Sequence, residues 1–351
     1  MQDRFKKRDP YWDYIKGIGI LLVLAGHLFP WGSPVRKIIY GFHMPLFFFV
    51  SGVFISGMMA RPFTGALKRI WNSTVVPFVF FVILSVLFFA VKVGVGISSR
   101  VTIKSALLSF YVGHPFLNGP LWFLVALGCG LFITWLIVRI RDQFHEQNLV
   151  VLVAVAVLYG LFISVGFVQV IRCKFPLVMT SWPCVCLMLL FGCYHGLGFQ
   201  RSIEKMNKWA AVILAILLFC TEALLALTHH QFGIRSTGSP VFLFTSVLGI
   251  IGVMLLAQLL VGLRNGRMSK VVEFLGVNSL FIFSIETAFV RPMVLKGLSL
   301  IDSRVSASPF DHTNPIGWTV VSFVFVCVIC SLFVRPLSRL YALWKNVVGA
   351  R

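Results

Sequence analysis

The composition of this 351-residue chain excludes a soluble globular protein. Hydrophobic residues make up 58% of it, charged residues only 12%, and the mean hydropathy is +0.92. A formal net charge of +20 could suit nucleic acid, but the cations lie in short loops between apolar runs, where membrane topology explains them. We therefore expect a polytopic membrane protein in a lipid bilayer, with no nucleic-acid partner.

Apolar segments recur along the chain and predict about ten transmembrane helices, because backbone groups in hydrocarbon must bond within their own segment. The sequence predicts an all-α fold with one domain over 1–351, a membrane core over 13–345 and no appended soluble domain. The predicted spans are 14–29, 38–59, 75–91, 121–138, 149–170, 177–199, 209–228, 240–263, 274–290 and 316–334.

The distribution of basic residues predicts the orientation of these spans. With ten spans, most of the 31 Lys and Arg residues fall on the side that carries both chain ends. Loops rich in Lys and Arg stay in the cytoplasm. Both termini are therefore predicted to be cytoplasmic.

The first apolar run carries two ionisable residues, Lys16 and His27, and the second run carries His43. Lys16 and His27 are eleven positions apart, which puts both on one face of a helix with a rise of about 16 Å between them. Ionisable groups within a membrane usually face a cavity or a partner, and they are candidates for function.

Three motifs in the first third of the chain resemble those of a known family. They are Lys16-x10-His27, the segment FHMPLFFFVSG at 42–52 and the segment GPLWFL at 119–124. Together they are similar to the acyltransferase-3 family, whose members are integral-membrane O-acyltransferases of bacterial surface glycans. The segment 15–19 is most similar to the branch of fucose 4-O-acetylases. The resemblance implies a bacterial inner-membrane enzyme that uses acyl-CoA, most simply acetyl-CoA.

The resemblance assigns roles to the ionisable residues of the first two runs. His27 and His43 lie near the predicted outer ends of their helices, where an imidazole could take the proton of a sugar hydroxyl. Lys16, near the cytoplasmic end, could hold a phosphate of the donor while the thioester reaches His27. The alternative for either histidine is a structural bond to a helix carbonyl.

Basic residues in the loop after the second run could bind the phosphates of coenzyme A. Arg61, Lys68 and Arg69 suit this role because Arg makes bidentate contacts with phosphate. The alternative is that they only set the topology. Family members often have a second Arg three residues after the first in this loop, and Asn72 stands at that position here.

Two acidic residues, Glu222 and Glu286, lie within later apolar runs. A buried carboxylate must pair, take a proton or contact water. The sequence 278–286 resembles the late Asn-Ser-Leu signature of the family, so Glu286 could orient a catalytic histidine or bind the acceptor sugar. The alternative for Glu286 is an ion pair with Arg291, and for Glu222 we favour a structural polar contact.

His114 and Trp122 could form part of an outer platform for the sugar, since aromatic faces suit sugar CH groups. A plain loop histidine is the alternative for His114. The other histidines and the eight cysteines have no spacing typical of a metal site or a disulfide framework, and no metal is expected.

The function predicted from the sequence is an O-acyltransferase, most simply an O-acetyltransferase, that moves an acyl group from cytoplasmic acyl-CoA to a hydroxyl of a surface, exported or lipid-linked glycan. The alternative from another class is a transporter or flippase of a glycan precursor, which would also carry ionisable groups in its helices. The sequence predicts no oligomeric state.

Overall fold

The computed structural model describes residues 9–30, 32–55, 58, 61–94, 118–144, 147–170, 177–228, 239–264, 266–307 and 314–350, and their regular structure is entirely helical. The helices are α1 (Pro10–Leu28), α2 (Pro34–Tyr40), α3 (His43–Val53), α4 (Phe63–Ile70), α5 (Val76–Gly94), α6 (Trp122–Arg141), α7 (Gln147–Val170), α8 (Leu177–Glu204), α9 (Lys208–Thr228), α10 (Pro240–Gly262), α11 (Arg267–Val277), α12 (Ser279–Ile285), α13 (Arg291–Ile301) and α14 (Ile316–Val347). The all-α class expected from the sequence is confirmed.

Seven helices of the described chain are long and apolar enough to cross a membrane, or eight if one bent pair counts as a span. They coincide with eight of the ten predicted spans. The other two, 14–29 and 38–59, correspond to α1 and to the short helices α2 and α3. Polar residues in α1 and the length of 11 residues in α3 distinguish them from the seven.

The predicted span 274–290 is not one straight helix. The chain bends by 69° between α11 and the helical segment that continues to Ile301. Asn278 stands at the bend, and its side chain donates to the carbonyl of Phe274 at 2.8 Å. An Asn side chain that bonds a nearby carbonyl offers the backbone an alternative to helix continuation, which explains the break.

Helix α1 lies in the middle of the bundle and packs against α3, α10, α11 and α14. Its closest neighbour is α11. Gly17 of α1 and Gly276 of α11 have no side chain, so the two backbones come into direct contact. A Cβ at Gly17 would collide with the carbonyl of Val272, and one at Gly276 with the carbonyl of Asp13. Small residues allow membrane helices to approach in this way. The polar residues of α1 are therefore placed among other helices.

A second close contact fixes α3 against α8. A Cβ at Gly52 would collide with the carbonyl of Leu189, and one at Gly192 with the carbonyl of Phe49. Gly52 closes the FHMPLFFFVSG segment, so this part of the motif has a packing role. The contact between α3 and α8 holds His43 at the start of α3, next to the end of α1.

Within the described residues, two π-helical turns interrupt the regular helices. Trp71–Val75 joins α4 to α5, and Glu286–Val290 joins α12 to α13. Single π turns are frequent at functional sites because they redirect side chains within a helix. The first follows the predicted donor-binding cations directly, and the second begins with Glu286.

The predicted orientation can be tested by cysteine labelling at Ser33, which precedes α2, and at Ser202, which is exposed near the end of α8. In a variant without native cysteines, Ser33→Cys should react with an impermeant maleimide in intact cells, and Ser202→Cys only after lysis. The physical reason is the excess of Lys and Arg on the side of Ser202. Labelling of both residues from the same side would contradict the predicted topology.

Candidate active site

His27 and Glu286 form a hydrogen-bonded pair at one end of α1, although they are 259 residues apart in sequence. His27 lies in the last turn of α1, and its Nδ1 is 2.7 Å from Oε2 of Glu286. A carboxylate only accepts, so Nδ1 carries a proton, and in the neutral imidazole Nε2 is then the nitrogen with the lone pair. The His27 side chain is 18% exposed, whereas Glu286 is fully buried. The pair therefore presents a basic nitrogen at an accessible position.

Two neighbours hold Glu286 in place. The hydroxyl of Thr287 donates to Oε2 of Glu286 at 2.5 Å. Nε of Arg291 lies 3.2 Å from Oε1 of Glu286. The two groups form an ion pair, but the angles between them do not fit a hydrogen bond. Arg291 also donates through Nη1 to the carbonyl of His27 at 2.7 Å. Glu286 thus contacts His27 and Arg291 together, and the two alternatives considered for it occur in one arrangement.

His43 is more buried than His27 and is held differently. It is 4% exposed, and its Nδ1 is 2.8 Å from the carbonyl of Ile39. Its ring lies 4.7 Å from the ring of Tyr40, measured between centroids. A carbonyl oxygen accepts a hydrogen bond, so Nδ1 of His43 carries the proton. This is the structural bond to a helix carbonyl that was the alternative for His43. Nε2 still has its lone pair, so the bond is compatible with a second proton acceptor near His27.

Arg36 connects the end of α1 with the segment that leads to His43, and sequence reasoning gave it no role. It donates to the carbonyl of Phe29 at 3.1 Å and to the hydroxyl of Tyr40 at 3.0 Å. Its guanidinium lies 4.7 Å from the centre of the Tyr40 ring. The last carbonyls of a helix have no partner within the helix. Arg36 and Arg291 supply donors there and fix the turn that carries His27.

A cationic cleft lies near the other end of α1. It has a volume of about 460 Å³. Its lining residues are Arg61, Lys68, Arg69, Asn72 and Ser73. Three of them are the predicted donor-binding cations, which the structure brings together, and the other two belong to the π turn after α4.

The position of this cleft relative to α1 follows from Phe54. The ring of Phe54 packs against Trp12, with 5.9 Å between centroids, and its carbonyl is 3.5 Å from Nη2 of Arg69. Trp12 is one helical turn from Lys16. The cleft therefore borders the start of α1, and His27 lies at the end of the same helix.

Lys16 has a carboxylate partner that the sequence analysis did not consider. Its Nζ is 2.7 Å from Oδ1 of Asp13, which is 3% exposed. Asp13 and Lys16 are three residues apart, a spacing that brings side chains together on a helix. A donor phosphate would have to share Lys16 with Asp13.

Three other candidates lie elsewhere or outside the described residues. Trp122 is 8% exposed and its ring packs 6.4 Å from that of Phe48, which leaves little surface for a sugar. Glu222 is fully buried, and neither of its carboxylate oxygens has a partner within the described chain. His114 lies outside the described residues. Among those described, no group of three His, Cys, Asp or Glu side chains could hold a metal ion.

Comparison with known proteins gives one family and two related proteins. The family model of the acyltransferase domain, type 3, matches residues 9–335. The nodulation protein NolL of Mesorhizobium japonicum is 30% identical over 218 residues, which cover 59% of this chain and 53% of that protein. The nodulation protein NolL of Sinorhizobium fredii is 26% identical over an alignment of 370 positions, which covers 95% of this chain and 94% of that protein. Since the family model covers most of its length, this membrane protein belongs to the acyltransferase-3 family.

Proposed function

We propose that this acyltransferase is an O-acyltransferase that moves an acyl group, in the simplest case acetyl, from cytoplasmic acyl-CoA to a hydroxyl of a surface, exported or lipid-linked glycan. The observation that carries the proposal is the pair of His27 and Glu286. The carboxylate fixes the proton on Nδ1 of His27, and Nε2 is left to accept a proton from the acceptor. The glycan acceptor follows from the family resemblance.

In the proposed reaction His27 acts first as a general base and then as a general acid. As the acceptor oxygen attacks the thioester carbonyl, Nε2 takes the proton of the hydroxyl. The imidazolium that forms lies beside Glu286, whose negative charge stabilises it, and Arg291 balances the charge of Glu286 in the resting state. When the new C–O bond has formed and the C–S bond breaks, the proton passes from His27 to the departing sulfur. The reaction leaves His27 neutral and releases free thiol.

The cleft at the start of α1 supports the assignment of a coenzyme A donor. Its three cations suit the phosphates of the donor, and Asn72 and Ser73 add polar contacts. From there, the thioester must reach His27 near the other end of α1. Lys16 and His27 are separated by about 16 Å of helix, a distance that an extended pantetheine arm can span.

The proposed activity is tested by incubating the purified protein with acetyl-CoA and a glycan extract from cells that lack the gene. We expect free thiol to appear and acetyl groups to enter the glycan, with the same acetylation present in wild-type surface glycan by mass spectrometry and absent after deletion. A transporter would release no thiol. Unchanged glycan after deletion, together with no thiol release in vitro, would overturn the proposed function.

The donor site gives a further prediction, for which Lys68→Ala is the suitable variant. Arg69 has a backbone contact of its own, whereas Lys68 lines the cleft with an exposed side chain. Loss of a charge-assisted phosphate contact costs roughly 1.5–3 kcal/mol, so the KM for acyl-CoA should rise about 10- to 150-fold. The KM for the acceptor should stay within about twofold.

The matched control is Lys205→Ala, which removes an exposed cation that does not line the cleft and is predicted to face the same side of the membrane. It should leave both KM values unchanged. An equal rise in donor KM for Lys205→Ala would show that general surface charge, and not the cleft, attracts the donor.

A further inference from the structure

Asn118 is a buried amide that connects two helices beside the candidate active site. It directly precedes the 3₁₀ turn Gly119–Leu121 and is 1% exposed. Its Nδ2 donates to the carbonyl of Ser284 at 2.6 Å and to the hydroxyl of Ser85 at 3.2 Å. The side chain thereby joins α5 to the end of α12.

The contact with Ser284 lies where the π turn of Glu286 begins. In this turn the N–H of Arg291 donates to the carbonyl of Glu286, five residues earlier. A change from i+4 to i+5 bonding leaves a carbonyl near the start of the turn without its regular backbone donor. Asn118 donates at this point, two residues before Glu286.

Asn118 has no other evident task in the described structure. Its side chain makes no capping bond to the turn that follows it. Its Oδ1 is buried without a hydrogen-bond partner. Both hydrogen bonds that the amide donates therefore join other elements of the fold. The shorter of the two is to the segment that carries Glu286.

We infer that Asn118 is a positioning residue, which holds the π turn so that Glu286 can accept the hydrogen bond of His27. This inference rests on the proposed function and extends it to the segment before GPLWFL. The bond between His27 and Glu286 is 2.7 Å long, and such bonds weaken steeply when distance and angle change. A small shift of the turn would keep the two side chains near each other and still weaken the hydrogen bond between His27 and Glu286.

The first test is Asn118→Ala, with Asn118→Asp as a variant of similar size that lacks the amide donor. In the acetyl-transfer assay, kcat should fall about 10- to 100-fold, the range found for outer-shell groups that orient metal ligands, and both KM values should stay within about twofold. The matched control is Gln200→Ala. Gln200 is a buried amide that accepts from Trp12 at 3.1 Å and donates to Asp9 at 2.8 Å, at the other end of α1.

The second test is a double-mutant cycle, since residues that act through one another are not additive. Asn118→Ala should add little to the loss caused by Glu286→Gln, but its effect should multiply with that of Lys68→Ala. Multiplication in both cycles, or a kcat for Asn118→Ala equal to that of Gln200→Ala, would overturn the inference. A wild-type protein without any transfer would overturn the proposed function itself, and the inference with it.

Discussion

His27→Gln is expected to reduce acyl transfer by about 10²–10⁴-fold, the usual cost of losing a general base, while the protein stays folded and inserted. Glutamine can still bond to Glu286 but cannot take a proton near neutral pH. Because the side chain of His27 is partly exposed and its other nitrogen has no partner within the described chain, the substitution leaves no cavity in a packed core. Transfer into glycan is measured by mass spectrometry, and folding by gel filtration and thermal unfolding.

His195→Gln is the matched control for this substitution. His195 lies in α8, where its ring packs 5.6 Å from Phe191 and 6.2 Å from Phe199, measured between centroids. It should retain transfer close to wild type. Near-normal transfer in His27→Gln would mean that His27 is structural, and the base would then have to be sought at His43 or Glu286.

The helical class and the face shared by Lys16 and His27 could be derived from the sequence because both depend on local periodicity. Apolar runs require helices in a membrane, and the rise and turn of a helix fix side chains eleven residues apart. The pair of Asp13 and Lys16 is equally local, with a spacing of three residues. It could have been found by the same reasoning, and it changes the environment expected for a donor phosphate.

The contact between His27 and Glu286 could not be derived in this way. The family resemblance suggested that Glu286 could orient a catalytic histidine, but the contact itself depends on the bend at Asn278 and on the π turn that begins with Glu286. These are departures from regular helix geometry. A regular helical wheel through 274–290 ignores this bend, so it does not predict which neighbours Glu286 contacts.

Arg36, Arg291 and Asn118 show a second reason why part of the site escapes the sequence. Their partners include backbone carbonyls, of Phe29 and His27 for the two arginines and of Ser284 for the amide. A carbonyl carries no residue-specific signal, so no pairing of residue types reveals these bonds. Only Arg291 was considered, because it follows Glu286 closely in the chain.

Glu286→Gln is expected to lower kcat about 10²–10⁴-fold with little change in either KM. The substitution keeps the shape of the side chain and removes its charge. An amide can offer its NH₂ group to Nδ1 of His27, which favours the tautomer with the proton on Nε2 and blocks proton uptake from the acceptor. In proteases with a Ser-His-Asp triad, the same kind of change at the orienting carboxylate costs about 10⁴-fold. Steady-state kinetics with acetyl-CoA and the glycan acceptor measure the effect.

Glu222→Gln is the control, since Glu222 is as buried as Glu286 but has no partner within the described residues. It should keep full transfer, because the amide retains the size and shape of the side chain and no hydrogen bond to another described residue is lost. Comparison of the two variants thus separates the effect of changing a buried carboxyl group from the effect of losing the hydrogen bond that orients His27. A selective rise in acceptor KM for Glu286→Gln would instead place the sugar on Glu286. Normal kinetics would leave Glu286 as the ion-pair partner of Arg291, and His27 would then need another group to fix its tautomer.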